Sequence, residues 1–137
     1  MKPVEQMCPH NEVEGVFGDC FRAVIASLLE MEAKDVPHFL HDGHPDAWRK
    51  RLSEFLKPYN LCFMSFNASG WDMDAWRKEM CVDILYHEIS DRSPRFPSLF
   101  HSVVGCNGKV VHDPHPDKTG LPEETSERTF GVLIRLQ

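Results

Sequence analysis

Gly18-Asp19-Cys20-Phe21-Arg22-Ala23-Val24-Ile25-Ala26-Ser27-Leu28-Leu29 is the stretch from which the rest of the chain can be read. It changes character at the cysteine. Gly15, Gly18 and Asp19 before it are turn formers. After it, Phe21, Val24, Ile25, Leu28 and Leu29 make one apolar stripe at helical spacing. Asp19 suits the N-cap, so Cys20 is expected in the first helical turn. Free N–H groups and the positive end of the helix dipole favour an anion there. A thiol so placed ionises more easily, and the thiolate is the nucleophile. The competing reading is a buried cysteine packed as a small hydrophobe. A nucleophile needs a histidine base and a group to orient it, usually distant in sequence.

Composition narrows the field. A chain of 137 residues suits one domain with one core, here spanning residues 1–137. No apolar run approaches the roughly 20 residues that cross a bilayer, so no membrane partner is expected. Residues 1–6 carry no apolar signal segment. Net charge is −6 with no basic cluster, which argues against nucleic acid as the main partner. Cys8, Cys20, Cys62, Cys81 and Cys106 are odd in number and widely spread, with no CxxC pair. They read as reduced thiols in a cytoplasm.

Outward from the cysteine, residues 1–18 read as an extended arm and loop, broken by Pro3, Pro9, Asn11, Gly15 and Gly18. The first helix is expected over residues 20–31 and stopped by Asp35-Val36-Pro37. A second is expected to start near Pro45, to run through Trp48, Leu52, Phe55 and Leu56, and to end at Pro58. Residues 61–66 read as a strand. Asp72 or Asp74 caps a short helix through Trp76 and Met80. A strand over 82–89 and a loop over 90–97 follow. Asn107-Gly108 then joins strands 99–106 and 109–113, the strongest short-range hairpin signal. Residues 114–129 read as a surface loop, and 129–136 as a closing strand. Helices first and a mostly antiparallel sheet after them imply an α+β fold.

The hairpin answers Cys20. Its first strand carries His101-Ser102-Val103-Val104-Gly105 and its second Val110-Val111-His112-Asp113-Pro114. His101 stands six residues before the turn and Asp113 five after it, so the two are near neighbours across the ladder. Asp113 can then accept one imidazole N–H and leave the other nitrogen for the thiol, as in a catalytic triad. His112 competes as base, but successive strand residues face opposite sides, so His112 and Asp113 cannot both face Cys20.

Gly-Asp-Cys opening a helix, the His-x-Val-Val-Gly strand and Val-His-Asp-Pro resemble papain-like cysteine peptidases. The likeness is nearest to small bacterial and phage proteins similar to bacteriocin-leader (double-glycine) peptidases. The resemblance implies N-terminal helices packed on a mostly antiparallel sheet, with Cys20 as nucleophile, His101 as base and Asp113 as orienter. It also implies an oxyanion-hole Gln about six residues before the cysteine. That position is Glu14, a carboxylate that would repel an oxyanion. Gln6 lies further upstream and reaches back if residues 7–17 loop out, giving its amide and the Cys20 N–H as donors.

The expected function is cysteine-dependent acyl transfer, a peptidase or amidase needing no cofactor. Its partner would be a peptide or amide substrate, such as a host or phage protein. A rival is a catalytically silent binding module of the same fold, such as a phage-encoded inhibitor of a host factor, which Glu14 favours. A third reading takes the eight histidines as a metal site, His38, His41 and His44 foremost. Their spacing matches no closed motif, so no metal ligand is assigned. Arg22 suits either a substrate carboxylate or a surface ion pair. Phe96 and Phe100 suit either a cleft wall or the core.

Overall fold

The computed structural model describes residues 1–44 and 46–137. Three α-helices lie among them: α1 (Cys20–Leu29), α2 (Trp48–Leu56) and α3 (Met73–Met80). Five strands complete the fold: β1 (Leu61–Asn67), β2 (Tyr86–Arg92), β3 (Phe100–Cys106), β4 (Lys109–His112) and β5 (Thr129–Arg135). They form one sheet in the order β1-β5-β2-β3-β4, antiparallel at every pairing. The chain is α+β. None of the described helices is long and apolar enough to cross a membrane.

The apolar stripe of α1 decides which face it covers. Phe21, Ile25 and Ala26 pack with Val36, Phe39, Leu52 and Leu56, against Phe63 of β1 and Leu133 of β5. Each such large apolar side chain contributes about 1.5–3 kcal/mol on burial. Phe130 lies an odd number of residues from Leu133, so it faces the other side of the sheet. There Ile89, Val103 and Phe130 meet Met73 of α3. Helices therefore cover both faces.

Several boundaries differ from the sequence reading, each for a local reason. Helix α1 stops at Leu29, because Glu30 takes a left-handed conformation whose N–H closes the last turn. Of the two expected caps for α3, Asp72 is the one that serves, accepting the Ala75 N–H at 2.9 Å. The expected start of the second helix at Pro45 lies outside the described residues; the helix itself begins at Trp48. Strand β2 begins at Tyr86 and continues through Ser90, Asp91 and Arg92, which the sequence presents as a loop. Those polar residues sit in a strand because they are bonded there. Asp91 accepts from Thr125 and Arg128 and ties down the loop that follows β4.

The hairpin is built as Asn107-Gly108 predicts, with positive φ at both residues. Its register then shifts. Cys106 pairs with Lys109 and Gly105 with Val110, but Val104 pairs with His112, so Val111 is an extra residue. This β-bulge decides the site. In the unshifted register Asp113 would stand opposite Ser102 and share its face. One extra residue moves Asp113 to the face of Val103 and His101.

Candidate active site

Cys20 is the first residue of α1, and its placement depends on Asp19 in an unexpected way. Asp19 occupies the N-cap position, but its side chain makes no cap bond. The buried carboxylate turns the other way and accepts the backbone N–H groups of Met7 (3.1 Å) and Cys8 (2.9 Å). Arg22 completes the set with Nε at 2.8 Å, so its guanidinium is engaged by Asp19. In return the Asp19 N–H donates to the Cys8 carbonyl. The N-terminal arm is thereby pinned across the start of α1.

That pinning brings Gln6 to the site. Residues 9–17 loop out around a small bridge between Asn11 and Val16. The Gln6 N–H donates to the Pro114 carbonyl at 3.0 Å, joining the arm to the chain just after Asp113. Gln6 is 8% exposed and lines the same cleft as Cys20. Its side-chain amide has no hydrogen-bond partner among the described residues. Glu14 sits exposed on the looped-out turn, its N–H bonded to Asn11, and does not line the cleft.

His101, near the start of β3, is buried with its Nε2 2.8 Å from Asp113 Oδ1. This bond commits Nε2–H to the carboxylate and leaves Nδ1 for sulfur. Cys20 lies against the ring. Burial works against a charge on His101, but the Asp113 carboxylate and Cys20 outweigh it and hold its pKa up at about 9. Burial also opposes a charge on Asp113. The bonds from His101, the His115 N–H and the Gly120 N–H prevail and bring its pKa down to about 2.

Asp113 is thus held by a loop rather than by the hairpin ladder alone. It lies beyond the end of β4, and the positive φ of Lys118 and Gly120 curls residues 115–120 around it. The Lys118 ammonium bonds the Asp113 carbonyl and reaches Glu5 of the arm. Arg95, anchored by Asp117 at 2.8 Å, places Nη2 3.2 Å from His101 Nε2 and closes the outer side of the pair. His112 faces away and bonds the Val4 carbonyl at 2.9 Å.

Cys20, His101 and Gln6 open on one cleft of about 450 Å³, a size suited to a small ligand or part of a peptide. Its walls include several aromatic side chains, Phe96 and Phe100 among them. Its floor is polar and was not visible in the sequence. Glu88 and Ser102 contribute to it, with Ser102 Oγ donating to Glu88 Oε1 at 2.6 Å. A glutamate in a strand and a scatter of serines read as surface positions. Only the sheet register brings them together.

The other histidines serve structure where their bonds are clear. Buried His87 accepts the Gly108 N–H at Nε2 and donates from Nδ1 to the Glu88 carbonyl. Among the described residues no group of three or more His, Cys, Asp or Glu side chains is disposed to hold a metal ion. No protein-family model, curated protein or solved structure matches this chain.

Proposed function

We propose that this protein is a papain-like cysteine acyl-transfer enzyme, a peptidase or amidase acting in the cytoplasm. One observation carries the reading. A cysteine at a helix N-terminus lies against an imidazole whose other nitrogen bonds a buried carboxylate, and the thiol and ring open on one cleft. The positive ring is the counter-ion that a thiolate needs.

The chemistry follows from these positions. The Cys20 thiolate attacks the substrate carbonyl carbon, and the carbonyl π pair moves onto oxygen. The Gln6 amide and the Cys20 N–H are the donors for that oxyanion. His101 Nδ1–H protonates the leaving amine as the C–N bond breaks, giving a thioester. Neutral His101 then takes a proton from water, whose hydroxide adds to the thioester carbon; the C–S bond breaks, the acid departs, and the Cys20 thiolate is restored beside protonated His101. Asp113 holds the ring in the tautomer both steps require. Glu14, the feature that favours a silent binding module, does not line the cleft, which supports the active reading.

The test is limiting iodoacetamide followed by peptide mapping, alongside turnover on a fluorogenic peptide-amide library. Cys20 should be labelled before Cys62, Cys81 or Cys106. Cys8 should also lag, because burial and then the Asp19 charge raise its pKa. Preferential labelling of another thiol, with turnover unaffected by Cys20→Ala, would remove the basis for the reading.

A further inference from the structure

We propose that Glu88 is the floor of a specificity subsite that takes a cationic, lysine- or arginine-type group of the substrate; this deepens the acyl-transfer reading and rests on it for the word substrate. Glu88 lies on β2, the central strand, and is 5% exposed. Oε1 accepts the Ser102 hydroxyl at 2.6 Å. Oε2 has no hydrogen-bond partner among the described residues, although Glu88 lines the cleft. Oε2 and the Phe63 ring fit here because position 131 has no side chain. A Cβ on Gly131, paired with Glu88 across the sheet, would collide with both Oε2 and the Phe63 ring.

No ion pair fills this niche. Arg49 lines the same cleft and its charge favours the Glu88 carboxylate, but its guanidinium is exposed, stacked on Trp48 and makes no salt bridge with Glu88. Ser65, Ser90 and Thr129 also line the cleft and carry no charge. A buried carboxylate without a direct ion pair is costly, and burial has pushed this one up to about 7. Phe21, Trp48 and Phe63 supply apolar walls. Aromatic walls above a carboxylate fit a cation carried on a methylene stem. A neutral apolar group would leave Oε2 unpaired, and an acidic one would be repelled.

The probes are benzamidine and its neutral isostere benzamide, titrated calorimetrically into the full-length protein. Benzamidine should bind about tenfold tighter or more, the worth of a charged hydrogen bond. It should also slow iodoacetamide labelling of Cys20. Glu88→Gln, nearly isosteric, should bring the two ligands to equal affinity. Should that variant fold poorly, Ser102→Ala keeps the test open, because freeing Oε1 should alter benzamidine binding and leave benzamide unchanged. Equal binding to wild type, or a preference that survives Glu88→Gln, overturns the proposal. Binding needs no chemistry. An inert Cys20 with intact benzamidine preference would therefore sink acyl transfer and leave the subsite standing.

Discussion

Two carboxylates lie in or beside the same cleft in opposite condition. Asp113 receives an imidazole N–H and two backbone N–H groups, and its pKa falls to about 2. Glu88 receives one hydroxyl, and burial pushes it up to about 7. Burial opposes the charge in both cases, so the difference lies in the donors that the backbone brings. At Asp113 a bulge and a curled loop bring them. At Glu88 regular sheet pairing, with a glycine opposite at Gly131, does not. The first carboxylate is committed to holding a ring, and the second is left for something that arrives.

Perturbing each end should give effects of different size. The largest belongs to the triad end. Asp113→Asn keeps the shape but removes the charge that sets the His101 tautomer, and should lower turnover by about 10⁴-fold. Gln6→Ala should cost about a hundredfold, the usual loss of one oxyanion donor, while Glu14→Ala should leave turnover unchanged. The reverse pattern would mean that the arm is placed differently.

Thermal melts against pH separate the two carboxylates. His101 has a raised folded pKa, so its stabilisation is complete below about 6.5 and is lost as pH rises through about 9. Asp113 has a depressed one, so its contribution is present above about 3.8 and lost as pH falls through about 2. Glu88 has a raised one: stability should decline as pH rises from about 4.5 through about 7. Glu88→Gln should flatten the melting curve between pH 4.5 and 7 only, and Asp113→Asn should flatten it above 6.5. The smallest effect is expected for His112→Ala. It loses the bond to the Val4 carbonyl, about 1 kcal/mol of stability, and little turnover.

The α+β class and the grouping of Cys20, His101 and Asp113 can be read in the chain. Cys20, His101, the Asn107-Gly108 turn and the apolar stripe of α1 each carry a local chemical signature. What stayed hidden depends on register and on non-local bonds. Val110-Val111 looks like ordinary strand, so nothing announces that Val111 is unpaired in the ladder. Counting from the turn put Asp113 near His101 but assigned the geometry to the turn, whereas the bulge and residues 115–120 set it. Asp19 next to a helix reads as a cap, because its true partners, Met7 and Cys8, are far back in the chain. Ser90 and Asp91 look like loop because their polarity hides that they are bonded inside the sheet.

In the proposed mechanism His101, charged and held by Asp113, stands as counter-ion to the Cys20 sulfur. The rate of Cys20 alkylation against pH measures this directly, in wild type, His101→Ala, Asp113→Asn and His112→Ala. Wild type should keep reacting on the acidic side of the profile, where a thiol without a cationic partner is nearly inert. His101→Ala and Asp113→Asn should lose that acidic limb, and His112→Ala should keep it. An acidic limb that is absent from wild type, or that survives in His101→Ala, would contradict the account.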